Sequence, residues 1–256
     1  MSWSARQYLR FESERTRPVR DLLAAVPSTE VKVAVDIGCG PGNSTEMLLA
    51  RFPHATISAL DSSLDMLEAA RKRLPDVRFE HVDIASWSDE GPFDVILANA
   101  VLQWLPHHEA LVPRLIAKLA PGGSLAVQIP DNLDEPAHVL MRDAAAQGPW
   151  ADKLRDVGGF RAQRHTPRWY YETLRAACSS LDIWRTTYHH ALDGGAAAVV
   201  EWFKGSGLRP FLDVLDEGER VAYLARYAEA IASAYPALPD GTVLLPFPRL
   251  FIVAQR

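Results

Sequence analysis

A short segment near the N-terminus has the composition of a ligand-binding turn: Asp36-Ile37-Gly38-Cys39-Gly40-Pro41-Gly42-Asn43. It ends a β-branched run from Val31 to Ile37 and precedes a segment with helical periodicity. Glycine lets a backbone pass close to a bound molecule, and the N–H groups at the start of the next helix point towards that molecule. A plain tight turn does not need three glycines in five residues. The segment therefore predicts a small-molecule site at the end of the first strand.

The glycine spacing argues against a nicotinamide dinucleotide. That fingerprint is G-x-G-x-x-G, with the third glycine three residues after the second. Here Gly42 follows Gly40 by two residues, and position 43 is asparagine. Pro41 also lacks the N–H group that a pyrophosphate would use. A nicotinamide-dependent dehydrogenase is thus an alternative from another enzyme class, and the spacing disfavours it.

Polar residues stand at the ends of three further predicted strands. The strands and their closing residues are Thr56 to Leu60 with Asp61, Val77 to Val82 with Asp83, and Phe93 to Ala98 with Asn99. Because parallel strands end at the same edge of a sheet, we expect these side chains around one crevice. Taken singly, Asp61 or Asp83 could equally be a helix cap, so their shared position carries the prediction.

These residue types fit an adenosine-like ligand. The Asp61 carboxylate can accept hydrogen bonds from both hydroxyls of a ribose, with Ser62 beside it. Asp83 can accept from an exocyclic amine, while Ile84 packs against the face of the ring. A dehydrogenase uses an acidic residue at the position of Asp61, so that residue does not discriminate between the two enzyme classes.

The elements that position these residues alternate between strands and helices, which predicts βαβ units and a parallel sheet. The further predicted elements are helices Gly42 to Phe52, Leu64 to Leu74, Pro106 to Leu119 and Pro167 to Ser180, and strands Ser124 to Ile129, Ile183 to Ala191 and Leu250 to Ala254. We predict a doubly wound, mostly parallel seven-stranded α/β sheet with an antiparallel C-terminal strand. Residues 1–256 form one domain in this interpretation, with insertions at about 131–165 and 194–246 as a helical cap.

Composition excludes several classes of function. The net charge of −5 disfavours nucleic-acid binding, which needs a basic face, and the chain lacks an apolar stretch long enough for a membrane span. Cys39 and Cys178 lie too far apart for a zinc motif. Two pairs of adjacent histidines point different ways on a helix or strand, so we predict no metal site. The charged N-terminus lacks the apolar core of a secretory signal, and we expect a cytoplasmic protein.

Several motifs resemble known enzymes. The glycine loop, Phe93-Asp94-Val95-Ile96, Asn99-Ala100-Val101-Leu102-Gln103-Trp104-Leu105 and Pro121-Gly122-Gly123 resemble motifs of class I S-adenosylmethionine-dependent methyltransferases. The terminal segments resemble the trans-aconitate methyltransferases. These segments are Tyr8-Leu9-Arg10-Phe11-Glu12, Arg15-Thr16-Arg17-Pro18, Gly207-Leu208-Arg209-Pro210-Phe211, Ala234-Tyr235-Pro236 and Leu244-Leu245-Pro246-Phe247-Pro248-Arg249. The resemblance covers nearly the full length of the chain.

The resemblance implies methyl transfer from S-adenosylmethionine to a carboxylate of trans-aconitate, with S-adenosylhomocysteine as the second product. The predicted cofactor-binding residues are Asp36, Gly38, Gly40, Gly42, Asp61, Ser62, Asp83, Ile84 and Asn99, with Asn99 near the methionine end. A tricarboxylate is fully ionised near neutral pH, so its attacking oxygen needs no general base and we predict no catalytic residue of that kind.

The two carboxylates that do not react need cationic partners, ideally arginines. Candidates are Arg17, Arg20, Arg209 and Arg249, of which we favour Arg17, Arg209 and Arg249. Tyr8, Gln103 and Trp104 are candidates for the walls of the substrate pocket. We expect a small polycarboxylate as the partner and a monomer or weak homodimer. The alternatives are a methyltransferase for another small carboxylate or for a malonyl thioester on a carrier protein, and a sensor that binds S-adenosylmethionine without turnover.

Overall fold

The computed structural model describes residues 12–89, 91–157 and 165–256. The strands are β1 (Val33–Ile37), β2 (Thr56–Asp61), β3 (Arg78–His81), β4 (Phe93–Asn99), β5 (Leu119–Pro130), β6 (Ser180–Leu192) and β7 (Val243–Gln255). The helices are α1 (Glu12–Ala24), α2 (Asn43–Arg51), α3 (Leu64–Arg73), α4 (His108–Ala117), α5 (Pro136–Ala146), α6 (Ala151–Leu154), α7 (Pro167–Leu174), α8 (Gly195–Lys204), α9 (Arg209–Val214) and α10 (Glu217–Ala234). Two 3₁₀ turns, Ile84–Ser86 and Leu102–Trp104, follow β3 and β4.

The described strands form one seven-stranded sheet in the order β3-β2-β1-β4-β5-β7-β6. Strands β1 to β5 pair in parallel. Strand β7 runs antiparallel to β5, because Gly122 at the start of β5 donates to Arg256 and Asp131 after its end donates to Pro248. The order reverses beside β1, which places a crevice at the carboxyl ends of β1 and β4. The predicted doubly wound sheet with an antiparallel C-terminal strand is confirmed.

The chain divides into two compact units. Unit 1 comprises Met1–Pro130, His165–Arg185 and Leu250–Arg256, and unit 2 comprises Asp131–Arg164 and Thr186–Arg249. In unit 1 the central strands are buried on both faces, as crossover helices require, and β4 is covered almost throughout. Its core is a continuous cluster of aliphatic and aromatic side chains from the sheet, α4 and α7.

Unit 2 is mainly helical. Helix α10 packs against α5 and α8, and it begins with a capping box between Asp216 and Glu219. Two buried tyrosines of α10 donate to carbonyls of α5: Tyr223 to Met141 at 3.0 Å and Tyr227 to Ala137 at 3.1 Å. Burial raises the pKa of both phenols, so they remain donors at neutral pH. These bonds fix the spacing of α5 and α10 within the unit.

Three element boundaries differ from the prediction by five residues or more. Strand β5 starts at Leu119 rather than Ser124, because Gly122 and Gly123 pair with Arg256 across the sheet instead of forming an isolated turn. Strand β7 starts at Val243, ahead of two prolines, since a proline carbonyl still accepts a hydrogen bond. Helix α7 ends at Leu174, after which Ser179 donates to Gln255 and the chain joins the sheet.

Within the part of the chain that the structure describes, we find no helix with the length and apolar character that crossing a membrane requires.

Candidate active site

Unit 1 contains a cavity of about 410 Å³ at the carboxyl ends of β1, β2, β3 and β4. Its volume suits a small organic ligand. The residues that line it are Val19, Gly38, Cys39, Gly40, Pro41, Asn43, Ser44, Asp61, Ser62, Ser63, Met66, Val82, Asp83, Ile84, Asn99, Ala100, Val101, Trp104 and Leu105. Seven of the nine predicted cofactor-binding residues lie in this lining: Gly38, Gly40, Asp61, Ser62, Asp83, Ile84 and Asn99.

The glycine loop enters the cavity because of the strand register. Ile37 pairs with Leu60, so Gly38 and Asp61 stand side by side just beyond the paired residues. Gly38 has a φ of 74°, and a Cβ added to it would lie 2.2 Å from Cγ2 of Val101. That distance requires glycine, because real Cβ atoms do not approach other atoms so closely. Predicted residue Gly42 lies outside the lining and is the N-cap of α2, with a φ of 90°.

Predicted residue Asp36 lies beneath the loop and outside the cavity lining. It is fully buried, and its Oδ2 accepts from Oγ of Ser44 and Oγ1 of Thr45, both at 2.7 Å. Burial raises the pKa of Asp36 to about 6, and the two hydroxyl bonds oppose part of that rise. Through these two bonds Asp36 connects the end of β1 to the first turn of α2.

Asp61 lines the cavity and holds the loop at the same time. Its Oδ2 accepts from the Gly40 N–H and its Oδ1 from the Ser63 N–H, each at 2.8 Å. Burial raises the pKa of Asp61, while the bonds from Ser63 and Gly40 lower it. Each carboxylate oxygen keeps a second acceptor site, so two further hydroxyls can be bound from the cavity side.

Asp83 and Ile84 open the first 3₁₀ turn. Oδ1 of Asp83 accepts from the Ala85 N–H at 2.8 Å, so the carboxylate caps its own turn and still lines the cavity. Ile84 is buried beside it. The predicted pair is therefore adjacent in space, as well as in sequence, with one polar and one apolar group available to a ring.

The opposite wall of the cavity follows β4. Oδ1 of Asn99 is buried without a hydrogen-bond partner in the structure, which leaves an acceptor for a ligand. Ala100 has a φ of 53°, uncommon for a residue with a Cβ. Its N–H donates to Gln128 at 2.8 Å, and its carbonyl accepts from Nε2 of Gln103 at 2.6 Å. These bonds fold the chain back so that Trp104 reaches the cavity.

The predicted substrate residues divide. Trp104 lines the cavity. Gln103 does not line it, and its side-chain Nε2 donates to the Ala100 carbonyl instead. Arg17 is an exposed residue of α1, two positions before the lining residue Val19. Two residues turn a helix by about 200°, so Arg17 leaves α1 on nearly the opposite side from Val19. Tyr8 lies outside the described residues.

Arg209 and Arg249 belong to unit 2. Arg209 begins α9, with its Nε 3.7 Å from Oδ2 of Asp213. Arg249 is 5% exposed, and its guanidinium carbon lies 4.6 Å from the centre of the Phe247 ring. A buried cation over an aromatic face is a favourable local contact, so the Phe247 ring helps to hold the Arg249 guanidinium in place within the unit.

Sequence reasoning missed a second group of lining residues. Most of these residues lie within two positions of a predicted residue. They are Cys39, Pro41, Asn43, Ser44, Ser63, Val82, Ala100, Val101 and Leu105. Counting outward from each strand end would have found these. Val19 and Met66 come from helices, and no sequence signal separates them from core residues.

The chain is similar to known methyltransferases. Residues 34–123 match a family model described as a methyltransferase domain. Relatives named trans-aconitate 2-methyltransferase are 52–56% identical to the chain. One of them, from Methylobacterium nodulans, is 56% identical over 254 residues, which cover 99% of this chain and 98% of that protein.

Solved structures share the fold at low sequence identity. The YcgJ protein from Bacillus subtilis gives a TM-score of 0.61 at 12% identity, covering 94% of this chain and 98% of that one. Phosphoethanolamine N-methyltransferase 2 of Haemonchus contortus, in complex with phosphomonomethylethanolamine and S-adenosylhomocysteine, gives 0.57 at 14% identity. The match covers 94% of this chain and 52% of that protein, so this chain spans about half its length.

Proposed function

The chain belongs to the trans-aconitate 2-methyltransferase family, and we propose that it transfers the methyl group of S-adenosylmethionine to a carboxylate oxygen of trans-aconitate. The observation that carries the proposal is 54–56% identity to relatives of that name over nearly the whole of both chains. The cavity supports it, because the acceptors and apolar groups that an adenosine-bearing donor needs line one crevice.

The lining residues fit S-adenosylmethionine group by group. The Asp61 carboxylate has spare acceptor sites for two ribose hydroxyls, and Asp83 with Ile84 suits an adenine amine and ring. The unpartnered Oδ1 of Asn99 suits the ammonium group of the methionine part. Asp36, which lies outside the cavity, holds the loop that these ligand groups would meet.

When bound, S-adenosylmethionine supplies a sulfonium methyl group: the S–CH₃ bond breaks, an O–CH₃ bond forms, and S-adenosylhomocysteine and the monomethyl ester result. The attacking carboxylate is already an anion, so no residue of the chain has to remove a proton. The chain contributes position instead. Holding the reacting oxygen in line with the methyl group can supply about 7–11 kcal/mol of the barrier.

Gripping the two carboxylates that do not react falls to arginines. We propose Arg209 and Arg249 for this role, since both lie in segments that resemble the family, and Arg17 as a weaker candidate because of its direction on α1. Arg249→Ala should weaken use of trans-aconitate by about 1.5–3 kcal/mol, the value of one charged hydrogen bond. Because Arg249 also stacks on Phe247, Arg249→Lys serves as the matched variant that keeps a charge. An unchanged KM in both variants removes Arg249 from the site.

The direct test is transfer of labelled methyl from S-adenosylmethionine to trans-aconitate, beside cis-aconitate, citrate and isocitrate, with calorimetry of S-adenosylhomocysteine binding. Turnover concentrated on trans-aconitate supports the proposal. Binding without turnover on any acid would instead favour a malonyl thioester substrate or a sensor. We further propose that the protein is a monomer or weak homodimer, which light scattering after size exclusion tests. We also propose that it has no nucleic-acid partner.

A further inference from the structure

Two residues of helix α4, His108 and Arg114, contact the turns that shape the cavity without lining it themselves. His108 begins the helix and Arg114 lies near its end. His108 contacts the turn Leu102–Trp104, which carries Trp104 into the cavity, and Arg114 contacts the turn Ile84–Ser86, which begins at Ile84 of the cavity lining.

Arg114 binds the first turn through both terminal nitrogens of its guanidinium. Nη1 donates to the Ala85 carbonyl and Nη2 to the Ile84 carbonyl, each at 2.9 Å. The Ile84 carbonyl also accepts from the Trp87 N–H at 3.3 Å, the closing bond of the turn. A planar fork that holds two successive carbonyls sets the direction of the turn, and a lysine, whose donors all lie on one nitrogen, could not reproduce this geometry.

His108 binds the second turn. Its Nε2 lies 2.8 Å from the Leu102 carbonyl, which can only accept, so Nε2 carries the proton. In the neutral imidazole Nδ1 is then the acceptor, and the Tyr170 hydroxyl, 2.7 Å away, donates to it. Both residues are buried, and burial raises the pKa of Tyr170, so its hydroxyl keeps the proton it donates.

We propose that His108 and Arg114 are positioning residues that hold the two 3₁₀ turns beside the cavity from one helix: Arg114 the turn on the adenine side and His108, oriented by Tyr170, the turn that carries Trp104. Neither residue lines the cavity, so neither touches a ligand directly. The inference rests on the proposed function for the identity of the two sides. The structural part of the inference, that each residue holds its own turn, is independent of the proposed function.

Hydrogen exchange tests the structural part without any ligand. Arg114→Gln should raise exchange about 10-fold at the Ser86 and Trp87 amides, which close the first turn, and leave Trp104 and Leu105 unchanged. His108→Leu should do the reverse. The matched control is His107→Asn, at the exposed neighbouring position, whose φ of 60° asparagine tolerates. It should leave all four amides unchanged.

Binding and turnover test the functional part. Arg114→Gln should weaken S-adenosylhomocysteine binding about 5- to 10-fold by calorimetry, while His108→Leu should change it less than about 2-fold and lower kcat on trans-aconitate about 10-fold. His108→Gln, whose amide can still donate to Leu102, should restore most of the turnover. Tyr170→Phe, which keeps the ring and loses the hydroxyl, should raise exchange at Trp104 and Leu105 by a smaller factor and tests the same arm if His108→Leu does not fold.

The outcomes are separable. Equal rises in hydrogen exchange at all four amides in both variants, with equal losses of S-adenosylhomocysteine affinity, would overturn the proposal. They would mean that α4 supports the whole region in a general way. Unchanged exchange in Arg114→Gln and Tyr170→Phe would overturn it as well. If the unaltered protein shows no turnover on trans-aconitate while the exchange pattern is split as expected, the proposed function fails and the positioning roles stand.

Discussion

The two walls of the cavity are held by different kinds of contact. The glycine wall, Gly38 to Asn43 with Asp61, is held by its own members and by the strand beneath, through backbone N–H groups and the Asp36 carboxylate. The turn wall, Ala100 to Leu105, is held from outside by Gln128, His108 and Tyr170. We therefore expect substitutions within the glycine wall to disturb it directly. The turn wall should also respond to substitutions at residues outside it, because those residues hold it.

The two walls lie close together at Gly38. The space that a Cβ of Gly38 would occupy is taken by Val101, at 2.2 Å from its Cγ2 and 2.6 Å from its Cβ. Any side chain at position 38 must therefore displace the turn wall or the glycine loop.

Gly38→Ala should have the largest effect. The added methyl group overlaps Val101 and the backbone keeps a φ of 74°, so we expect S-adenosylhomocysteine affinity to fall about 100-fold or more. Calorimetry measures this directly. The matched control is Gly122→Ala, where φ is 79° but no atom lies within 4 Å, and its affinity should stay near that of the wild type. Partial recovery in Gly38→Ala with Val101→Gly would locate the damage at the contact between the walls.

Asp36→Asn should change the pH dependence of stability. The pKa of Asp36 is about 6 in the folded protein and about 3.8 unfolded, so the folded state binds the proton more tightly. Wild-type stability therefore falls as pH rises from about 4 to 6, by about 3 kcal/mol in total, and the cost is fully present above pH 6. Asparagine does not titrate, so the variant should gain that amount relative to wild type over the same range. Urea unfolding at pH 4 to 7 measures it, and a constant difference would contradict the prediction.

Asp61→Asn should weaken S-adenosylhomocysteine binding by about 1.5–3 kcal/mol, because an amide nitrogen replaces one of two charged acceptor oxygens. The Gly40 or Ser63 N–H also loses its acceptor. Asp83→Asn provides the comparison, since one oxygen of Asp83 can still cap its turn, and its loss of affinity should be smaller. The reverse order in calorimetry would mean that the adenine side carries more of the binding than the ribose side.

Trp104→Phe should have the smallest effect on cofactor binding. Trp104 belongs to the turn wall, and we expect less than about a 2-fold change in S-adenosylhomocysteine affinity with about a 5-fold fall in kcat on trans-aconitate. Steady-state kinetics beside calorimetry gives both values. A loss of affinity as large as that of Asp61→Asn would mean that the turn wall contributes to cofactor binding as much as the glycine wall does.

Much of the cavity lining was predictable from the sequence because its parts lie at strand ends, and strand ends in a parallel sheet converge. The positions of Gly38, Asp61, Asp83 and Asn99 follow from that rule. The turn wall was harder to predict. Gln103 was expected to line the substrate pocket, but its amide closes a local backbone turn, and nothing in the sequence distinguishes these two uses of a glutamine.

Long-range bonds account for what the sequence could not show. His108 reaches Tyr170 across 62 residues, and Arg114 reaches the first 3₁₀ turn across about 30. The adjacent histidines at positions 107 and 108 gave no sequence signal for their contacts, and the buried member, His108, binds a backbone carbonyl and a phenol. Helical periodicity identifies such a residue only as facing inward.

The sequence by itself determined the alternation of strands and helices, the glycine loop, the carboxylates at the strand ends and the resemblance that indicated the family. These features are local, so residue type and spacing suffice. The tertiary structure alone decided that Asp36 lies beneath the loop rather than in the cavity, that β5 continues through two glycines, and that α4 holds both 3₁₀ turns. Each of these depends on which distant groups share a buried space, and burial is a property of the folded chain.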